Sequence, residues 1–172
     1  MRYDAEVAAA VTQARRFYAV APDATLVHAL IQKETSHGPY SIKGTLEPNG
    51  LRSYGPMQVL STTAAMHGIA DPDTLNIPSV GIRIGTFELA RLLTKFPGDS
   101  ARAVAAYNAG AGNSTRNPST GKFFNQDYVD KVLGFWNQYR GVVTQAAPAA
   151  ALVALGLMLV FVLARRRPAL AH

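Results

Sequence analysis

The chain has 172 residues, 48% of them hydrophobic and 16% charged, a composition that suits a globular domain with a sizeable core and excludes a disordered chain. It has no cysteine, which excludes disulfides, thiolate metal sites and cysteine nucleophiles. The net charge is +6, but three of the 17 Lys and Arg form the run Arg165, Arg166, Arg167; the other 14 face 11 Asp and Glu, too slight an excess to argue for nucleic acid.

The opening "MRYDAEVAAAVTQARRF" is broken by Asp4, Glu6, Arg15 and Arg16, so no signal peptide is expected there, and a first helix is predicted over residues 4–19. Pro22 and Asp23 open a second helix that runs to about Ser36, where His37, Gly38 and Pro39 stop it. Residues 38–56 are rich in Gly, Pro, Ser and Asn and read as a loop with room for a short hairpin. A third helix is predicted from Ser61 to Gly68. A fourth is capped near Asn76 with Pro78 in its first turn, and its Gly81 and Gly85, four apart, would let another backbone approach closely. A fifth starts at Asp99 or Ser100 and stops at Gly110. A Gly-, Ser- and Asn-rich loop follows to about Gly121. The sixth covers about Asn125 to Tyr139, with Tyr128, Val129, Val132, Leu133, Trp136 and Tyr139 as its inner stripe. Short helices around one long irregular loop predict a single, mainly α or α+β domain.

Residues 146–164, "AAPAAALVALGLMLVFVLA", carry no charge and close on three arginines. That is about the length needed to span a bilayer, and the arginines beyond it favour a membrane segment over a buried core helix. Pro148 and the alanines around it shorten the expected span. The organisation expected is a globular domain over 1–140, a linker over 141–148, a transmembrane helix over 149–164 and a basic tail over 165–172.

"HALIQKETSHG" (28–38) holds the residue of most chemical interest. Leu26, Val27, Leu30 and Ile31 sit three or four apart, as on the buried stripe of a helix, and Glu34 takes the next position on that stripe. An ionised carboxylate there is desolvated, which raises its pKa, and a carboxyl that keeps its proton near neutral pH can act as a general acid. The plainer reading is an acid at a helix end that reaches water. Spacing alone leaves both open.

The stretches around Glu34 bear on that choice. "IQKETS" is followed by "SYGPMQVLSTTA" (53–64), "NIPSVGIRIGTFELARLL" (76–93), "AVAAYNAGAGN" (103–113) and "YVDKVL" (128–133). In that order and at those spacings they resemble the soluble lytic transglycosylase family, over about residues 20 to 140. The resemblance implies a lysozyme-like fold and assigns Glu34 as the catalytic acid that later acts as base. It assigns Thr35, Met57, Gln58, Tyr107, Asn108 and Tyr128 to substrate binding, with Tyr107 and Asn108 facing the carboxyl and Tyr107 able to donate a hydrogen bond to it. Thr35 stands where the family usually has serine, and Pro56 stiffens a loop that is usually flexible. Residues 38–52 are longer than the commonest family loop, so the resemblance does not define the groove rim.

Hydrolytic glycosidases usually need two carboxylates. The candidates beyond Glu34 are Glu47, Asp71 and Asp73, none of them in a matched position. The resemblance therefore implies a single-acid, non-hydrolytic cleavage of peptidoglycan between N-acetylmuramic acid and N-acetylglucosamine that forms a 1,6-anhydro ring. It needs no metal or cofactor; His28, His37 and His67 have no metal-binding spacing. The competing expectations are a goose-type lysozyme using Glu47 or Asp71, a non-catalytic glycan-binding component of a virion or envelope complex, and a holin-like membrane protein. The partners expected are peptidoglycan glycan strands and a lipid bilayer through residues 149–164; oligomeric state is left open. The arginines after the span place the domain outside the membrane, facing peptidoglycan, with no export signal before it. Delivery by a phage particle would avoid that export step.

Overall fold

The structure, a computed structural model, describes residues 1–141. The chain divides into two units, residues 1–136 and 137–172. Residues 137–141 of the second are helical; the expected linker beyond residue 141, the span 149–164 and the tail 165–172 lie outside the described residues. Among the described residues, no helix is long and apolar enough to cross a membrane.

The first unit is mainly helical with one small sheet. α1 (Asp4–Phe17) has Asp4 and Glu6 in its first turn and Arg15 and Arg16 in its last, matching the helix dipole, and buries Val7, Ala10, Val11 and Ala14 on one stripe. α2 (Ala24–Thr35) starts where the Asp23 carboxylate accepts from the Leu26 amide at 2.8 Å. Every residue from Leu26 to Ile31 is buried, so α2 is enclosed by the core over that stretch. It stops because Ser36 and His37 turn to positive φ, 54° and 53°. His28 and His37 then face each other, ring nitrogens 3.1 Å apart, with Asp4 3.0 Å from the far side of His28. That chain ties α1 to the end of α2.

A three-stranded antiparallel sheet follows: β1 (Thr45–Leu46), β2 (Arg52–Tyr54) and β3 (Val59–Leu60), in that order. Thr45 pairs with Ser53, and Ser53 with Leu60. The segment read as a loop with room for a short hairpin carries that hairpin, β1 paired with β2. Strands of two or three residues are too short to show alternation, which is why composition alone read as loop. α3 (Ser61–Met66) and a 3₁₀ turn (Pro72–Asn76) lead into α4 (Pro78–Lys95), the longest helix among the described residues, which packs against α1 and α5. Asn76 does not cap α4: its side chain instead donates to the Ile42 carbonyl at 2.8 Å, pinning the preceding loop, and Ile77 flanks the helix.

Gly81 and Gly85 do what their spacing suggested. A Cβ on Gly81 would lie 2.2 Å from the Leu75 carbonyl oxygen, and one on Gly85 2.6 Å from Met57 Sδ. The "YGPMQ" turn therefore lies directly on α4. Gly55 opens that turn at φ 73°, with its α-carbon so close to Leu75 that no side chain would fit. α5 (Ser100–Ala109) is capped by Asp99, which accepts from the Arg102 amide at 2.9 Å, and ends at Gly110, φ 82°. α6, which covers residues 126–136 of this unit, packs Tyr128, Val129 and Val132 inward. Trp136, expected as plain core, is half-buried; its indole N–H lies 3.1 Å from both Asp23 Oδ1 and Thr25 Oγ1, so α6 clasps the start of α2.

Candidate active site

Glu34 sits in the last turn of α2, its stem among core residues and its carboxyl opening into a cavity of about 370 Å³. The cavity wall also carries Glu47, Pro48 and Asn49 from the β1–β2 turn, Gln58 from the turn before β3, Leu60 from the end of β3, and Tyr107 and Asn108 from the end of α5. Elements distant in sequence thus converge on one carboxyl.

Three charged or polar neighbours set the state of Glu34. Burial pushes its carboxyl above the ordinary range. The Tyr128 hydroxyl donates to Glu34 Oε1, and with Lys33 it pulls the other way, while the Glu47 charge adds to the upward push. Lys33 rests its ammonium 4.8 Å from the centre of the Tyr128 ring, which holds the ring in place. The same burial raises the Tyr128 hydroxyl well above its usual value, so it stays a proton donor. A carboxyl that holds its proton more firmly than usual, is fixed by one donor and is open on one side suits general acid chemistry.

Glu47 is itself held. Ser53 Oγ donates to Glu47 Oε1 at 2.5 Å and lies 3.1 Å from Gln58 Oε1, while Gln58 Nε2 donates to the Gly55 carbonyl at 2.8 Å. Gln58 stands at φ 45°, a left-handed backbone that aims its amide at the cavity. Asn108 is exposed at the rim, and Asn125 donates to its Oδ1 at 2.8 Å.

A family model of the transglycosylase SLT domain matches residues 12–129, most of the chain and every residue that lines this cavity. The chain belongs to the transglycosylase SLT family. A solved structure, an inactive glutamate-to-glutamine mutant of the lytic transglycosylase Slt from Pseudomonas aeruginosa, is similar at 22% sequence identity and a TM-score of 0.63. The match covers 84% of this chain and 25% of that one, so this chain spans about a quarter of that protein's length, and the likeness is one of fold.

Within this SLT domain, the residues singled out by sequence fall into two groups. Glu34, Gln58, Tyr107 and Asn108 share the cavity. Thr35, Met57 and Tyr128 do not line it. Thr35 faces the turn: its hydroxyl lies 3.0 Å from the Pro56 carbonyl oxygen and 3.2 Å from that of Ile31, fastening the turn to α2. Met57 is fully buried on Gly85, because the turn has to fill the gap that glycine leaves on α4. Tyr128 is buried behind the carboxyl rather than in a groove.

A further correction concerns the partner of Glu34. Tyr107 donates to the Met57 carbonyl at 2.9 Å, not to Glu34. Tyr128 takes that role, since α6 brings its hydroxyl up against α2. Pro48, Asn49 and Leu60 are wall residues that sequence reasoning passed over; the Pro-Asn-Gly turn at 48–50 was the only signal for the first two. Among the described residues, no group of three or more His, Asp or Glu is placed to hold a metal ion.

Proposed function

We propose that this SLT domain is a peptidoglycan lytic transglycosylase in which Glu34 is both the acid and the base. The observation that carries the reading is the Glu34 carboxyl, raised by burial, gripped by Tyr128 and open to a cavity whose wall carries the amides of Asn49, Gln58 and Asn108 and the Tyr107 ring. Protonated Glu34 gives its proton to the oxygen bridging muramic acid C1 and the next sugar, and the C1–O bond breaks. The muramic acetamido oxygen can shield the developing positive charge at C1. The Glu34 carboxylate then takes the proton of the muramic C6 hydroxyl, and O6 bonds to C1, closing the 1,6-anhydro ring and restoring the acid. No water is consumed, so product ends are lighter by one water than those of a hydrolase. Mass spectrometry of digested peptidoglycan tests this: anhydro ends are expected, and reducing ends alone would refute it.

A second reading has one observation in its favour. Glu47 shares the cavity with Glu34, as a two-carboxylate hydrolase of the goose-type lysozyme kind would require. Against it, the Ser53 hydroxyl holds Glu47 back toward β2. The same product assay decides.

The charge-free run 149–164, with Arg165 to Arg167 beyond it, supports membrane attachment as part of the proposal, with the domain facing the cell wall and a phage particle as one vehicle for delivery. Flotation with vesicles tests the attachment: full-length protein is expected to float and a version ending near Gln145 to stay in the soluble fraction. Full-length protein that stays soluble would refute it.

A further inference from the structure

A second cavity of about 340 Å³ continues the first, sharing with it Asn49, Gln58, Leu60, Tyr107 and Asn108. Its far wall differs in chemistry. Glu88 is buried there between two basic side chains: Arg91 Nε and Nη2 donate to its two oxygens at 2.8 and 2.7 Å, and His67 Nε2 lies 3.2 Å away. Burial pushes the Glu88 carboxyl up, but the hydrogen bonds from Arg91 and His67 overcome it and hold it below the usual range. Glu88 is thus ionised, and both its oxygens are spent on holding Arg91. The Arg91 side chain is 40% exposed on the cavity wall, and its Nη1 group has no acceptor among the described residues. Beside it stands Met66, 68% exposed, with Ala106 and Val59 behind.

Sugar rings offer hydroxyls and acetamides, none of them charged, and call for no fixed guanidinium. The peptide stem on muramic acid offers carboxylates and small methyl side chains. A guanidinium held in one rotamer by a buried acid is a preorganised donor for a carboxylate, at little entropic cost. We propose that this second cavity takes the peptide stem, with Arg91 on a stem carboxylate and Met66 against its apolar side chains. The inference rests on the reading that the domain acts on peptidoglycan, and it deepens that reading by making Arg91 a specificity residue.

The test uses full-length protein and two substrates: glycan strands carrying their stems, and the same strands with the stem carboxylates amidated, which removes their charge without freeing the lactyl carboxylate. The readout is the ratio of kcat/KM on the two. In Arg91→Gln the ratio should fall about tenfold, the size of one lost charge-assisted hydrogen bond, and through KM. Arg91→Lys should recover part of it. Glu88→Gln/Arg91→Gln, which leaves no uncompensated buried charge, should show the same fall, so poor folding of the single variant is not an escape. A ratio equal to the wild type in both would overturn the proposal and make the cavity a plain glycan subsite. Equilibrium binding of both substrates to Glu34→Gln and Glu34→Gln/Arg91→Gln gives the ratio without turnover. Wild-type protein that cleaves neither substrate would refute the transglycosylase reading, and the binding ratio would still judge the stem site.

Discussion

Replacing Tyr128 by Phe removes one oxygen from the site and keeps the ring under Lys33. In the wild type that hydroxyl donates to Glu34 and so favours the ionised carboxylate, partly offsetting the upward push of burial and of Glu47. A hydrogen bond to a charged group is worth about 1.5–3 kcal/mol. One pKa unit corresponds to about 1.4 kcal/mol. Without the hydroxyl, the Glu34 pKa should rise by about one unit, allowing for the weaker bond that the protonated form also makes. Because the acid step needs protonated Glu34, the alkaline limb of the kcat/KM profile should move up by the same amount. Turnover at the optimum should fall by about tenfold or less, since the acid is kept and only its positioning suffers. Tyr107→Phe is the control. Its hydroxyl serves the Met57 carbonyl, so its loss should cost about 1 kcal/mol of stability and leave the limb in place. An unmoved limb in Tyr128→Phe, or equal movement in both variants, would refute the assignment of Tyr128 as the partner of Glu34.

Glu34→Gln should lower turnover by about a hundredfold to ten-thousandfold, measured as anhydro product. It should also stabilise the fold as pH rises. The folded pKa of Glu34 is raised, so its contribution is fully present below the unfolded value and is lost as pH climbs through the folded one. The melting temperature of the variant relative to wild type should therefore increase from acid to neutral pH; a decrease would show that the carboxylate is favourably held. Glu47→Gln should shift the alkaline limb down, because the Glu47 charge raises Glu34, and anhydro products should persist. Near-complete loss, with reducing-end products in the wild type, would support the hydrolase. Gly81→Ala and Gly85→Ala should each destabilise in thermal melts, by about 1–3 kcal/mol or above, because the added methyl meets the Leu75 carbonyl oxygen in one and the buried Met57 in the other.

Much that is local was legible. Asp23 and Asp99 cap helices because their carboxylates satisfy amides three residues on, a rule confined to a few neighbouring residues. Glu34 stood out because helical periodicity assigns it to the apolar stripe, and burial is a property of the stripe. Gly81 and Gly85 signalled close approach, although not what approaches. Residues 38–60 were opaque by comparison, since strands this short carry no period and the direction of Gln58 depends on its left-handed backbone.

By itself, the order of residues determined the helices, the glutamate on the apolar stripe and the glycines that admit a turn onto α4. Tertiary structure alone decided which tyrosine serves that acid. Tyr107 and Tyr128 are both plausible donors by composition, yet the one that reaches Glu34 lies 94 residues away, brought there by α6 closing over α2. It also decided that Met57 packs inward while Glu47 and Asn49 line the cavity. The reason is the range of the forces: propensity and capping act within a turn or two, whereas the facing of a side chain into a cavity follows from how separate elements exclude one another on packing.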